Sequence, residues 1–333
     1  MNKFNLNRYW YTQKKPLWFL LPFSYLYLLT VKFRQYYYQF FFKPKKLPIP
    51  VVIIGNITVG GTGKTPLVIY LSRLLTTAGF KPGIISRGYR GKHTLPTIVE
   101  ETSDPAFVGD EALLIKKKTN CPMVVGKKRF DAAKKLLASY AVDIILSDDG
   151  LQHYALPRDL EIVVIDGTRQ FGNGAYLPVG PLREPISRLK TVDFVIANHH
   201  THHLLTPYYF HYVPKTIFQI KKPTNTLTLE ELSGKTVHAV AGIGDPNRFF
   251  RLLTEHGLVV IPHFYPDHHD FKVKDLEFLD DNYVIMTEKD AVKCRLFSDE
   301  RHWALAIELI IDPNFSTEFL KRLKGLKHGQ KAT

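Results

Sequence analysis

No aspartate or glutamate occurs before Glu100. Residues 1–99 nevertheless hold fifteen lysines and arginines, nine of them in residues 1–50. Beyond residue 99, 30 basic residues are offset by 31 acidic ones, so the net charge of +14 resides in the first third. Such an imbalance points to an anionic partner, a membrane surface or a nucleic acid. Cysteine is scarce. Cys121 and Cys294 lie far apart with no C-x-x-C spacing, which excludes a disulfide framework and fits a reducing cytosol. Internal repeats and low-complexity segments are absent. So are zinc-finger spacing and a helix-turn-helix pattern, and the aromatics cluster in an apolar run rather than along a basic strand face. No nucleic-acid partner is therefore expected.

Long hydrophobic runs are also missing. The longest near the amino terminus, LWFLLPFSYLYLLTV at 17–31, would cover about 22 Å as a helix, against about 30 Å of hydrocarbon. Pro22 and Ser24 interrupt it, and no small-residue cleavage site follows. Lys14, Lys15, Lys32 and Arg34 flank it, and the chain continues KFRQYYYQFFFKPKK. Rings and ammonium groups mixed in this way suit the headgroup boundary. The segment reads as one or two helices lying on the inner leaflet, or as an amphipathic helix packed on the protein's own core.

What is present begins at residue 51. VVIIGNITVGGTGKT is an apolar β-branched run that breaks into glycines and then Lys-Thr. It reads as a buried strand, a phosphate-cradling loop and a helix start. Gly60, Gly61 and Gly63 let the backbone aim its N–H groups inward. The helix that follows turns its positive end to the phosphates. Lys64 supplies a mobile cation, and the Thr65 hydroxyl can reach a metal. The usual pattern G-x-x-x-x-G-K-[ST] would place glycine where this chain has Thr58. The nucleotide-binding stretch is thus Thr58, Val59, Gly60, Gly61, Thr62, Gly63, Lys64 and Thr65, with a nucleotide triphosphate and Mg²⁺ as ligands.

Strands and helices alternate from there. Strands are predicted at 51–54, 83–86, 123–125, 142–147, 161–166 and 192–197, short and rich in Val and Ile. Helices are predicted at 64–78, 110–118 and 127–139. Residues 205–228 hold Pro207, Pro214 and Pro223 and read as a linker or two-stranded ribbon. A second series follows: strand 236–241, helix 246–256, strand 258–264, helix 273–280, and strands 283–287 and 304–310. The expected fold is α/β, a P-loop NTPase-like doubly wound parallel sheet with a smaller second α/β domain and an N-terminal membrane-surface helix. The expected boundaries are 1–46, 47–204, the linker 205–228, 229–325 and a tail, 326–333.

Several stretches carry chemistry. DIILSDDG ends a strand in Asp148 and Asp149, one of which can hold Mg²⁺ through water; alternation along a strand would aim the two apart, and a cap or turn is the other reading. Asp110 in VGDEALLIK is a proton acceptor or a helix cap. PDHHDF at 266–271 sets two histidines beside two acids, where a histidine can hold a proton-transfer base in place or take part itself. The histidine run at 198–203 lacks metal-ligand spacing and reads as a loop. GNGAYLPVGPLREP, a Gly/Pro-rich loop, ends in Arg183, which could pair with phosphate, and Glu184, which could complete a metal shell.

In combination, GNITVGGTGKT, ISRGYRGK, VGDEA, SDDGLQHYALPRDLEIVVID, GNGAYLPVGPLREP, PDHHDF and MTEKDAVK resemble the tetraacyldisaccharide 4′-kinase family, over most of the chain. The family's variant loop has threonine at the position of Thr58. The resemblance implies transfer of the γ-phosphate of ATP to the 4′-hydroxyl of a tetra-acylated glucosamine disaccharide 1-phosphate, an anionic lipid, giving lipid IVA. It implies peripheral attachment at the cytoplasmic face of the bacterial inner membrane. It places the catalytic aspartate on Asp110, with His268 in support. Lys64 and Thr65 take the phosphate and Mg²⁺ roles, and Asp148, Asp149 and Glu184 match acidic positions near metal or substrate. Arg129 and Arg183 match basic positions near the phosphates; Gln152 and His153 lie in a shared motif without a defined task. Rival readings are a deviant P-loop regulatory ATPase at the membrane surface and a soluble small-molecule kinase. The first calls for lysine before the paired glycines, where this chain has Val59; the second leaves residues 1–42 unexplained.

Overall fold

The computed structural model describes residues 8–12, 18–42, 45–199 and 206–330. Lys14, Lys15 and Leu17, most of the histidine run (200–203) and the last three residues of the tail lie outside the described residues.

Helix α1 (Leu21–Phe40) precedes β1 (Val51–Gly55), the phosphate loop and α2 (Lys64–Thr77). Next come β2 (Pro82–Ser86), β3 (Thr97–Ile98), α3 (Pro105–Val108), α4 (Asp110–Thr119), β4 (Met123–Val125) and α5 (Arg129–Ser139). Strands β5 (Ile144–Asp148), β6 (Leu160–Asp166), β7 (Phe194–Asn198), β8 (Tyr208–Gln219) and β9 (Thr226–Leu227) follow. The chain then forms β10 (Thr236–Ala241), α6 (Pro246–Glu255), β11 (Val259–Phe264) and β12 (Tyr283–Thr287). It closes with α7 (Glu288–Cys294), β13 (His302–Ile311) and α8 (Pro313–Gln330).

The strands form one sheet in the order β11-β10-β12-β13-β8-β7-β6-β1-β5-β2-β4-β3, with β9 paired to β8. Pairing is parallel except where β8 meets β13, β8 meets β9 and β3 meets β4. The doubly wound reading therefore holds. The chain from β1 turns toward β5 and β2, and the chain from β5 crosses to β6 on the other side of β1. Strand order reverses at β1, the place where open α/β sheets bind ligands.

Alternation along β1 divides the core. Val52 and Ile54 pack with Leu67 and Leu71 of α2 and with Phe315 and Phe319 of α8. Val51 and Ile53 pack on the opposite face with Ala132, Ala133 and Leu136 of α5. Successive strand side chains point to opposite faces, and burying each large aliphatic one contributes about 1.5–3 kcal/mol. The same division recurs around β10 and β12, with Phe249, Phe250 and Leu253 of α6 on one face and Ala291 and Cys294 of α7 on the other. Cys121 and Cys294 are free and buried, and burial raises both thiols.

Several elements differ from the sequence expectation. Residues 208–219, read as part of a linker or ribbon, form a long strand. β8 does pair with β9 as a ribbon, but it also joins β7 to β13. Its Pro214 falls where the β8–β13 register shifts between Leu305 and Ile307, a place where a missing N–H costs least. Residues 273–280 are not a helix. Only a 3₁₀ turn forms at Val273–Asp275; Leu276 is buried, and Phe278 stacks on His238 at 3.9 Å. That two-residue spacing belongs to extended chain. Helices α7 and α8 add to the expected set. In α8, Phe315, Phe319 and Leu323 bury themselves at helical spacing.

Helix α1 is amphipathic with its faces reversed. Phe23, Leu26, Leu29, Phe33 and Phe40 are exposed. The inward face is polar: Ser24 Oγ donates to Tyr176 O (2.9 Å), Tyr27 Oη to Arg183 O (3.1 Å), and Gln35 Nε2 to Glu184 Oε2 (3.1 Å). Packing on the protein's own core thus fails as a reading of the apolar face. No helix among the described residues is long and apolar enough to cross a membrane.

Candidate active site

The phosphate loop leaves β1 at Gly55 and enters α2 at Lys64. Gly63 caps α2 with φ 102, and a Cβ there would lie 2.4 Å from Tyr212 Oη, so both conformation and space require glycine. Neighbouring loops hold the segment in place. Val59 N donates to Pro181 O (2.8 Å), Tyr11 Oη donates to Val59 O (2.7 Å), and Thr58 bridges Leu182. The open backbone N–H groups at the start of α2 form an anion site.

Strand β5 ends beside it, with Asp148 in register with Ile54 of β1. Asp149 leaves the strand in the left-handed region (φ 47), so strand alternation does not govern the two carboxylates. Lys64 Nζ and Arg183 Nη1 each lie 3.5 Å from Asp149 Oδ1. Burial opposes ionisation of Asp149, but Lys64, Arg183 and Arg129 outweigh it and lower its pKa. Asp148 behaves oppositely. Burial, then the charges of Glu111 and Asp149, push it up to about 7 against Lys64 and Arg129. Its Oδ1 is buried without a partner, as is the Thr62 hydroxyl. Orphaned hard oxygens beside a phosphate loop are the donor set a divalent cation takes, so the residues present fit Mg²⁺.

Around this turn lie the other predicted residues. Arg129 is buried, donating from Nη2 to Asp149 O (3.2 Å) and from Nη1 to Gly126 O (3.3 Å). Burial lowers its pKa to about 10, and its Nε has no partner. Gln152 Nε2 donates to Asn56 O (2.9 Å) and Glu184 Oε1 (2.8 Å). Glu184 is fully buried and also accepts from Gln35 and pairs with Arg188 at 3.3 Å. Both its oxygens are thus occupied, which makes it a hub between α1, the phosphate loop and the Gly/Pro-rich loop. His153 is pushed down to about 4 by burial and by Arg129, Arg158, Arg34 and Arg87, so it is neutral at pH 7.

A second cluster forms where α4 meets the 266–271 loop. Gly109, at φ 96 and with Tyr89 O only 2.8 Å from any Cβ, turns the chain into α4. Asp110 does not cap that helix. Its Oδ2 lies 2.9 Å from His268 Nδ1, and its Oδ1 accepts from Glu111 N at 2.9 Å. Burial would raise its pKa, yet His268, Lys289 and Lys293 outweigh it and hold the group ionised. His268 sits at φ 59, a strain of about 1–3 kcal/mol. Arg90, itself at φ 61, clamps that loop by donating to His268 O (2.8 Å) and Asp267 O (3.2 Å).

The structure therefore gathers the predicted residues into two clusters, coupled through Glu111. Sequence reasoning gave no role to Gln35, Arg90, Glu111, Lys289 or Lys293. ISRGYRGK and MTEKDAVK were visible as motifs, but the contacts of Arg90 with the 266–271 loop and of Lys289 and Lys293 with α4 join parts far apart in the chain.

A family model described as tetraacyldisaccharide-1-P 4′-kinase matches residues 16–324. Tetraacyldisaccharide 4′-kinase of Coxiella burnetii is 46% identical over 322 residues, covering 96% of this chain and 95% of that protein. That of Methylobacillus flagellatus is 48% identical over 323 residues, covering 96% of each. A crystal structure described as the apo form of LpxK from Aquifex aeolicus in complex with ATP is 30% identical, with a TM-score of 0.76 over 91% of this chain and 96% of that one. On a match of this extent to the family model and to whole-length relatives, the chain belongs to the tetraacyldisaccharide 4′-kinase family.

Proposed function

We propose that the protein transfers the γ-phosphate of ATP to the 4′-hydroxyl of a tetra-acylated glucosamine disaccharide 1-phosphate, producing lipid IVA. Family membership supports the overall reaction. The observation that carries the mechanism is the buried, ionised Asp110 beside His268, coupled through Glu111 to the acidic turn at the phosphate loop.

A sugar hydroxyl is a weak nucleophile at neutral pH. Asp110 accepts its proton as the new P–O bond forms and the bond from the γ-phosphorus to the bridging oxygen breaks, leaving the electron pair on ADP. An ionised carboxylate only accepts hydrogen bonds, so His268 donates to it from Nδ1 and fixes its orientation. Lys64 and Arg183 share Asp149 without nucleotide; the triphosphate replaces that carboxylate as their anionic partner. Thr65 and Asp148 would hold Mg²⁺, with Asp149 close by. The cation would supply charge neutralisation on the phosphoryl oxygens. Gln152 and Glu184 brace the loop, Arg129 braces the acidic turn, and His153 contributes a neutral ring.

The exposed apolar stripe of α1 lies on the cytoplasmic face of the inner membrane, where the lipid substrate resides. Extracting that lipid would cost about 0.8 kcal/mol per exposed CH₂, so the enzyme goes to the surface. The direct test is ATP consumption that depends on the acylated disaccharide, with phosphate recovered at the 4′ position. Asp110→Asn should lower kcat by about 10²–10⁴-fold with ATP affinity little changed. A full rate in that variant, or preference for a water-soluble acceptor, would remove the mechanism.

A further inference from the structure

We propose that Lys289 is a positioning residue that fixes the tautomer of His268 and, through it, the base Asp110; this rests on the reading of Asp110 given above. Asp110 is ionised and can only accept, so the nitrogen facing it at 2.9 Å, His268 Nδ1, carries hydrogen. The other nitrogen, Nε2, lies 3.1 Å from Lys289 Nζ. An ammonium can only donate, so Nε2 must offer its lone pair. The ring is therefore neutral and protonated at Nδ1.

The ammonium is locked in place. Glu111 Oε1 lies 3.0 Å and Asp267 Oδ1 3.1 Å from Nζ. Burial works against the charge of Lys289, but Glu111, Asp267 and Asp110 outweigh it and raise its pKa. Thr287 starts α7 by accepting from Asp290 N, which sets the helix register. Lys293, one turn beyond Lys289, reaches Asp110 Oδ2 at 3.9 Å. The other side chains on His268 are Tyr89, with ring centroids 5.1 Å apart, and Arg90 on its carbonyl. Without the ammonium, Asp110 at 2.9 Å, Asp267 at 3.8 Å and Glu111 at 3.9 Å surround a ring whose Nε2 is vacant. The ring then takes a second proton, and Asp110 becomes one half of an ion pair and a poorer base.

The test is ¹⁵N NMR of full-length, histidine-labelled protein at neutral pH, with the His268 signals identified by their loss in His268→Gln. The native ring should show Nδ1 protonated and Nε2 bare. Lys289→Met should show both nitrogens protonated, and Lys289→Arg should restore the native pattern. In Lys289→Met, kcat on the acylated disaccharide should fall about tenfold or more while KM for ATP stays within about twofold. An unchanged ring in Lys289→Met would overturn the inference. So would a native ring protonated at Nε2, which decides the matter even if Lys289→Met fails to fold. The expected spectrum together with no phosphoryl transfer by the native enzyme would remove the kinase mechanism and leave the hold of Lys289 on His268 standing.

Discussion

At the residue scale, Asp148, proposed above to hold Mg²⁺, works against the fold. In the folded chain it keeps its proton up to about 7; unfolded, it releases it near 3.8. Between those values the folded state binds more protons, so raising pH through that window lowers stability. The loss is complete above about 7 and is on the order of a few kcal/mol at most. Asp148→Asn carries no ionisation to suppress. Without nucleotide or Mg²⁺, thermal unfolding of that variant should come a few degrees above native at pH 8, and the gap should narrow toward pH 5. Its kinase activity should be lost. A variant that melts below native at pH 8 would show that Asp148 is not a destabilised acid. Removing the neighbour has mixed effects: Asp149→Asn relieves repulsion on Asp148 but takes from Lys64 and Arg183 the carboxylate that both use.

At the element scale, α1 has two unlike faces. Its inward polar residues touch Arg183, Gln152 and Glu184, while its outer stripe exposes Phe23 and Leu26 at 60% and 62%. Replacing those two by glutamate should leave the melting temperature unchanged, since neither is buried. It should weaken vesicle binding by about tenfold or more, because each apolar side chain buried in lipid is worth about 1.5–3 kcal/mol. Co-sedimentation with vesicles, beside a melting curve, separates the effects; equal binding by variant and native chain would dismiss the stripe as the contact. How well elements could be read from sequence follows from how local their causes are. Strands β1, β4 and β10 and the starts of α2 and α4 are set by β-branched runs and by glycine, and all appear near the expected residues. β8 was hidden because its antiparallel partner β13 lies far along the chain and its Pro214 signals a break. The phosphate loop was legible for the same local reason. The contact of Lys289 with Glu111 was not, since only the folded sheet brings α7 to α4.

At the scale of the whole molecule, the charge asymmetry and the reversed helix act on the same surface. The +14 belongs to the first third of the chain, which includes α1 with its exposed Lys32, and the exposed Lys45 and Lys46 beyond its end. A basic residue near an anionic leaflet contributes about 1 kcal/mol, and that contribution fades beyond a Debye length. Raising salt from about 0.1 M to about 1 M shortens that length from about 10 Å to about 3 Å. Binding to vesicles rich in anionic lipid should therefore fall steeply over that range and level off at the binding seen on neutral vesicles, where the aromatic stripe acts alone. Titrating both vesicle types against salt gives two curves that meet at high ionic strength. Curves that are flat and coincident throughout would mean that the basic third serves some partner other than the membrane. Convergent curves would mean that charge brings the enzyme to the leaflet and rings hold it there, with the polar side of α1 still bonded to the groups around the phosphate loop.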